Sequence, residues 1–173
     1  MTENDVIAFV SGLPGVVAFT AAEDNGAPQA AWGDTFFYYD PDDEPANRKM
    51  PFATIVVKDY EGFDTASDLN RPGVFRVNIG VGRAVFEELL GYPPAAHADH
   101  HEALDYRVPD RILPHPLYAT QSWVCVLNPG DGTAEQVRAL LTGAHTRAAA
   151  RHRTGECTTR AWPPRPPPPG GGC

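Results

Sequence analysis

The chain has 173 residues, of which 42% are hydrophobic and 10% aromatic, and it carries a formal net charge of −8. This length suits a single domain with a real hydrophobic core. The longest apolar runs, such as "ATIVV" at 53–57, are far shorter than the ~20 residues of a membrane-spanning helix, and "MTENDVIAFV" lacks the basic region of a signal peptide. We expect a soluble, cytoplasmic protein without a membrane partner.

The charge is unevenly distributed along the chain. Residues 1–130 carry 19 acidic and 8 basic side chains, whereas residues 131–173 carry 3 acidic and 6 basic ones. An acidic body repels the phosphate backbone, whose attraction supplies most non-specific affinity for nucleic acids. Nucleic acid is therefore not an expected partner.

The first elements are a helix and a hairpin. Apolar spacing predicts a helix from Glu3 to Gly12, with Thr2 as its N-cap. Residues 16–22, "VVAFTAA", suit a strand, and Asn25-Gly26 is a two-residue hairpin signal that leads into a return strand, "PQAAWGDTFFYYD".

The middle of the chain alternates strands with loops. "PFATIVVKD" predicts a strand, residues 59–72 a loop or a short helical turn, and "GVFRVNIGV" a further strand. In that strand, alternation places Arg76 and Asn78 on the face opposite Phe75, Val77 and Ile79. A short helix, "RAVFEELLG", follows and ends at a glycine, Gly91.

The last elements are a strand and a helix. "SWVCVLN" predicts the strand, and Thr133 with Gln136 forms a potential capping box for the final helix. Residues 154–173 are rich in proline and glycine and are typical of a disordered tail. We predict one α+β domain over residues 1–153, with a mostly antiparallel sheet and helices packed on one face.

Several blocks carry a resemblance. "WGDTFFYYDP", "KMPFATIVVKDY" and "RPGVFRVNIGV" resemble an uncharacterised actinomycete family, a domain of unknown function. More distantly, the chain is similar to MmcQ/YjbR-like proteins. The positions that match are Lys49, Met50, Phe52, Ala53, His115, Pro116, Tyr118 and Trp123. This resemblance implies a double-wing α+β layout, for which DNA binding has been proposed, and it offers no catalytic mechanism to carry over.

The familiar catalytic signatures are missing. The chain has no GxxxxGK[ST], GxSxG or HExxH motif, and its three cysteines form no CxxC pair. We therefore name no catalytic residue and no cofactor, and whether the protein is an enzyme stays open.

Histidines cluster in "AAHADHHEALDYRVPDRILPHP", residues 95–116. If residues 96–104 are helical, His97 lies beside both His100 and His101, so that imidazoles could share a divalent metal such as zinc. The alternative is a solvated polar segment, with His115 shaping a turn before Pro116.

A second set of candidates is polar and aromatic, and all its members lie in or beside predicted strands. It could line a concave ligand pocket, or it could form the solvated face of an antiparallel sheet. The set comprises Trp32, Asp34, Tyr38, Lys58, Arg76, Asn78 and Trp123.

These patterns favour a module that binds a small molecule or a partner protein. The alternatives are a metal-dependent enzyme or metal-binding protein built on His97, His100 and His101, and a DNA-binding protein by the MmcQ/YjbR analogy. Lys58 and Arg76 favour an anionic or carbonyl-bearing ligand.

Overall fold

The computed structural model describes residues 1–48 and 50–154. Lys49, one of the positions of the MmcQ/YjbR-like resemblance, lies outside the described residues, and so do residues 155–173 of the predicted tail. Thr154, the first residue of that predicted tail, is the last residue of a helix.

The described residues form a six-stranded sheet and three α-helices. The sheet is antiparallel throughout, in the order β1-β2-β3-β4-β6-β5. The helices are α1 Glu3–Ser11, α2 Arg83–Leu90 and α3 Ala134–Thr154. The strands are β1 Val16–Thr20, β2 Thr35–Tyr39, β3 Ala53–Val56, β4 Arg76–Gly80, β5 Leu113–Pro114 and β6 Trp123–Leu127. The predicted single α+β domain with an antiparallel sheet is confirmed.

The main core lies between one face of the sheet and the helices. Alternation along the strands places Phe37, Ile55 and Val77 on this face, where they meet Val10 of α1 and Leu141 of α3, all of them fully buried. Among the described residues, no helix is long and apolar enough to cross a membrane.

Two predicted helix boundaries are confirmed. Thr2 caps α1 in a capping box, since its hydroxyl accepts a hydrogen bond from the backbone N–H of Asp5 and the Asp5 carboxylate accepts one from the N–H of Thr2. Gly91 ends α2 in the left-handed conformation, with φ of 78°, which glycine adopts without steric cost.

The predicted two-residue hairpin is wrong. β1 and β2 do pair, with Thr20 opposite Thr35, but residues 21–34 connect them. Asn25 ends a short 3-10 helix, where its side-chain amide accepts from the N–H of Ala22 and donates to the carbonyl of Thr20. The Asn-Gly pair therefore closes a local turn, because the side chain of Asn25 competes for the backbone groups that a hairpin would use.

The predicted capping box of α3 is also wrong. The hydroxyl of Thr133 donates to the carboxylate of Asp110, 2.6 Å away. That carboxylate also accepts from the N–H groups of Gly130 and Gly132. A carboxylate from a distant loop thus satisfies the amides before α3, which lowers the pKa of Asp110 to about 2 through these hydrogen bonds.

The second face of the sheet is covered by two irregular segments. Residues 57–74, the acidic loop, lie over β3 and β4, with Leu69 packed on Val56 and Leu127. Residues 93–121, the His-rich segment, lie over β6, with Tyr106 packed on Cys125. The stretch 96–104 in this segment contains short 3-10 helices rather than one α-helix. The face that carries Arg76 and Asn78 is therefore buried.

Candidate functional site

Arg76 is the largest fully buried side chain in the described part of the chain, with 1% of its surface exposed. It lies in β4 with its guanidinium turned away from the helices. Nη2 lies 2.5 Å and Nη1 3.3 Å from the two carboxylate oxygens of Asp64, in the acidic loop. A buried arginine needs such a bidentate partner, because an unpaired buried charge is very costly.

Other N–H groups of the Arg76 guanidinium donate to neutral side chains. Nη1 also donates to Ser67 at 2.8 Å, and Nε donates to the amide oxygen of Asn78 at 2.9 Å. The Nδ2 of Asn78 in turn donates a hydrogen bond to the hydroxyl of Thr54 at 3.0 Å. Four of the five N–H groups that an arginine carries are thus engaged by the protein itself.

The pKa of Arg76 shows which influence dominates. Burial works against its charged form, but the hydrogen bond and charge of Asp64 outweigh burial and raise the pKa above its usual value. The pair is therefore ionised and internally neutral. Arg76 consequently offers little attraction to an incoming anion.

A second polar pair joins β2 to the acidic loop. The carboxylate of Asp34, which is fully buried, accepts a 2.9 Å hydrogen bond from the N–H of Val57 and another from the hydroxyl of Tyr60. Burial raises the pKa of Asp34 to about 6, although both hydrogen bonds oppose the shift. Burial and the charge of Asp34 raise the pKa of Tyr60, so the phenol keeps its proton and donates it to Asp34.

His115 is fixed in one chemical form. Its Nδ1 accepts hydrogen bonds from the backbone N–H groups of Leu117 at 3.1 Å and Tyr118 at 3.2 Å. Burial lowers the pKa of His115 well below its usual value, and the charge of Arg76 adds to the effect. The imidazole is therefore neutral, and because Nδ1 is an acceptor, the proton resides on Nε2.

These groups meet at a small cavity of about 40 Å³. Its buried polar lining consists of Thr54, Asp64, Arg76, Asn78 and His115, and the aromatic side chains of Tyr60, Phe63 and Tyr118, its aromatic rim, are more exposed. At ~10–15 Å³ for a water molecule, this volume holds on the order of three waters or one small functional group. The complete lining is Phe36, Thr54, Val56, Tyr60, Phe63, Asp64, Arg76, Asn78, His115 and Tyr118. We call this space the Arg76 cavity.

Three of the predicted ligand-binding residues meet here. Arg76 and Asn78 line the cavity, and Asp34 lies one hydrogen bond away through Tyr60. The predicted anion preference of Arg76 is not supported by the geometry, since Asp64 occupies its guanidinium.

The other four lie outside the cavity lining. The indole of Trp32 donates to the carbonyl of Ala27, and the ammonium of Lys58 donates to the carbonyl of Gln29 at the surface. Tyr38 packs in a separate small cluster beside β1. Trp123 is buried over Gly80, where a Cβ atom would lie 3.2 Å from the indole.

The histidines proposed as metal ligands pack mainly against aromatic rings. His100 stacks on Tyr92 with 3.9 Å between ring centroids. The Nδ1 atoms of His97 and His101 lie 3.3 and 3.2 Å from the hydroxyls of Tyr92 and Tyr106. Within residues 1–48 and 50–154, no group of three or more His, Cys, Asp or Glu side chains could hold a metal ion. A zinc site at these positions stays a prediction.

Sequence patterns failed to single out the residues that complete the site. Tyr60, Asp64 and Ser67 come from the acidic loop, for which the sequence predicts a loop or a short helical turn and no site residue. One signal could have identified them: an arginine in a mostly apolar strand needs a carboxylate, and the acidic stretch "DYEGFDTASD" lies a few residues before that strand. The role of His115 depends on its hydrogen bonds to the backbone, which no sequence spacing reveals.

The Cys125 thiol, on the neighbouring strand β6, is not an activated nucleophile. Burial raises the pKa of the Cys125 thiol to about 12, and its Sγ donates to the carbonyl of Pro114 at 3.6 Å. A thiol in this state is not reactive. What the arrangement does offer is hydrogen-bonding groups of fixed polarity beneath an aromatic rim.

Comparison with known protein families identifies the family of this chain. A model described as "Family of unknown function (DUF6194)" matches residues 1–156. The chain belongs to DUF6194. Membership brings no assigned activity to this DUF6194 domain, and it agrees with the expected family of unknown function. No curated protein matches it.

One solved structure is similar in fold to this DUF6194 domain. It is the crystal structure of Deinococcus radiodurans protein DR2400, with a domain named DUF419. The two chains share 19% identity over 89% of this chain and 88% of the other, with a TM-score of 0.48.

Removing one partner of the buried ion pair should be strongly destabilising. Arg76→Met leaves the carboxylate of Asp64 buried without its cation, and we expect a loss of about 3–5 kcal/mol in the free energy of unfolding. The double variant Arg76→Met/Asp64→Leu should recover most of that loss. Urea denaturation measures both. A single variant that costs less than about 1 kcal/mol would contradict the assignment.

Asp34 should make stability depend on pH in a defined direction. Because folding raises its pKa from 3.8 to about 6, the stabilisation it contributes is present below pH 4 and is lost as the pH rises through 6. The cost of Asp34→Asn should therefore shrink by roughly 2 kcal/mol between pH 4 and pH 7.5.

Urea denaturation of both proteins at the two pH values measures this difference. Asp24→Asn, an exposed carboxylate in the preceding connection, is the matched control and should show little change. If the cost of Asp34→Asn grew with pH, the pKa of the Asp34 carboxyl would not be raised by folding.

Proposed function

We propose that this protein is a binding module for a small molecule, whose polar end enters the Arg76 cavity. The observation that carries the proposal is the composition of that cavity. Five buried polar side chains line it, while Tyr60, Phe63 and Tyr118 contribute aromatic surface around it. A few placed polar groups within apolar and aromatic walls are typical of small-molecule sites.

The rim gives this proposal its apolar component. Phe63 is 36% exposed, which is unusual here, since among the described residues only Leu117 is another large hydrophobic side chain with such exposure. The ring of Tyr118 lies 4.8 Å from that of His115 at the cavity wall. A flat ring on a ligand could pack against these side chains while its polar substituent enters the cavity.

Binding rather than catalysis is the better-supported class. Arg76 and Asp64 form an ion pair with each other at the site, and the buried thiol of Cys125 is unreactive. Metal binding through His97, His100 and His101 has less support, because in the described part of the chain these side chains do not form a group of three that could hold an ion. DNA binding has the least, because residues 1–130 are strongly acidic.

The proposal also covers the origin and layout of the family and the location and partners of the protein. The actinomycete character of the family and the MmcQ/YjbR-like layout are supported by the sequence blocks quoted above. A cytoplasmic location and the absence of a nucleic-acid partner are supported by composition and charge.

Fragment binding tests the proposal. A set of small uncharged aromatic compounds should shift the backbone amide NMR signals of residues around the Arg76 cavity, such as Tyr60, Asp64 and His115. Phe63→Ala should weaken the best fragment on the order of fivefold, as expected for the loss of about 1 kcal/mol of aromatic contact.

Leu117→Ala is the matched control, since Leu117 is 38% exposed and does not line the cavity. It should leave the affinity unchanged. Fragments that shift only residues elsewhere, or equal effects of the two variants, would refute the proposed site.

A further inference from the structure

The Arg76 cavity presents hydrogen-bonding groups whose direction is set by the protein. From these directions we infer that the ligand enters with an uncharged carboxamide or lactam group rather than a carboxylate. This inference rests on the proposed function, and it adds the chemical class of the ligand.

The donor of the site is His115. Two backbone N–H groups, those of Leu117 and Tyr118, point at its Nδ1. A protonated Nδ1 would face two donors, so this nitrogen must carry a lone pair and the hydrogen must be on Nε2. His115 lines the cavity, and its Nε2–H is the donor that this inference assigns to an oxygen acceptor of the ligand.

The acceptor of the site is Tyr60. Its hydroxyl hydrogen is committed to the carboxylate of Asp34, which is buried and is ionised at neutral pH. A phenol whose hydrogen is engaged retains lone pairs on its oxygen. Since Tyr60 also lines the cavity, its oxygen can accept a hydrogen bond from an N–H of the ligand.

The charges around the cavity disfavour an anion. The guanidinium of Arg76 is neutralised by Asp64 in a bidentate pair, and Asp34 adds a negative charge behind Tyr60. The ammonium of Lys58 bonds to the carbonyl of Gln29 and does not line the cavity. A carboxylate entering here would lose its hydration without gaining a cation.

A carboxamide satisfies all of these conditions. Its oxygen accepts one hydrogen bond and its nitrogen donates another, whereas a carboxylate can only accept. Its three heavy atoms suit a space of about 40 Å³, which holds on the order of three waters. An attached ring would then lie at the aromatic rim.

Three probes of nearly equal shape separate the contributions at pH 7.5. Benzamide has the carbonyl and the N–H, acetophenone has the carbonyl alone, and benzoate has the negative charge. Titrations followed by backbone amide NMR should show benzamide binding at the cavity at least tenfold more tightly than benzoate. Acetophenone should fall between the two.

Tyr60→Phe tests the acceptor. It should reduce the affinity for benzamide to that for acetophenone and leave acetophenone itself unchanged, which a merely structural disturbance would not do. Tyr38→Phe is the control, because Tyr38 is a half-buried tyrosine outside the cavity lining, and it should alter neither affinity.

The outcomes separate this inference from the proposed function. If the probes bind at the cavity but benzoate equals or exceeds benzamide, the carboxamide inference is wrong and the binding site stands. If Tyr60→Phe weakens all three probes equally, the acceptor role of Tyr60 is wrong. If no probe perturbs the cavity residues of the wild-type protein, the inference and the proposed site are both refuted.

Discussion

The buried pair of Arg76 and Asp64 organises the second face of the sheet. A buried guanidinium at the start of a central strand would be intolerable against an apolar layer, so the chain covers it with a loop that supplies a carboxylate and a hydroxyl. The acidic loop is thereby held over the sheet, and its Tyr60 is carried to Asp34. The helix face is covered instead by a large hydrophobic cluster, which includes Phe37, Ile55 and Val77.

Satisfying one buried charge has a consequence for function. Arg76 is paired with Asp64, and burial keeps His115 neutral, so the Arg76 cavity carries polarity without an unpaired cation. Sites of this kind discriminate through unpaired hydrogen-bonding groups, because a ligand that leaves a buried donor or acceptor unsatisfied loses free energy. His115 and Tyr60 therefore matter more to selectivity than the arginine, which first attracts attention in the sequence.

The fold could largely be predicted from the sequence, and the site only in part. Alternation in β4 correctly separated Arg76 and Asn78 from the core, and the positions of α1 and α2 followed from capping signals. The predicted Asn25-Gly26 hairpin was wrong because the side chain of Asn25 bonds to nearby backbone groups. The predicted capping box of α3 was wrong because the hydroxyl of Thr133 bonds to Asp110, which comes from a remote loop. Long-range polar pairing leaves no periodic signal, which is why Tyr60, Asp64 and the fixed tautomer of His115 escaped prediction.

The central claim is that folding fixes the polarity of the cavity, and His115 reports on it most directly. Long-range ¹H–¹⁵N NMR of the imidazole distinguishes the two neutral tautomers and the protonated form. We predict that His115 carries its proton on Nε2 and stays neutral from pH 8 to pH 5, because burial and the nearby Arg76 hold its pKa well below the usual value. Protonation near pH 6.5, or a proton on Nδ1, would contradict this account.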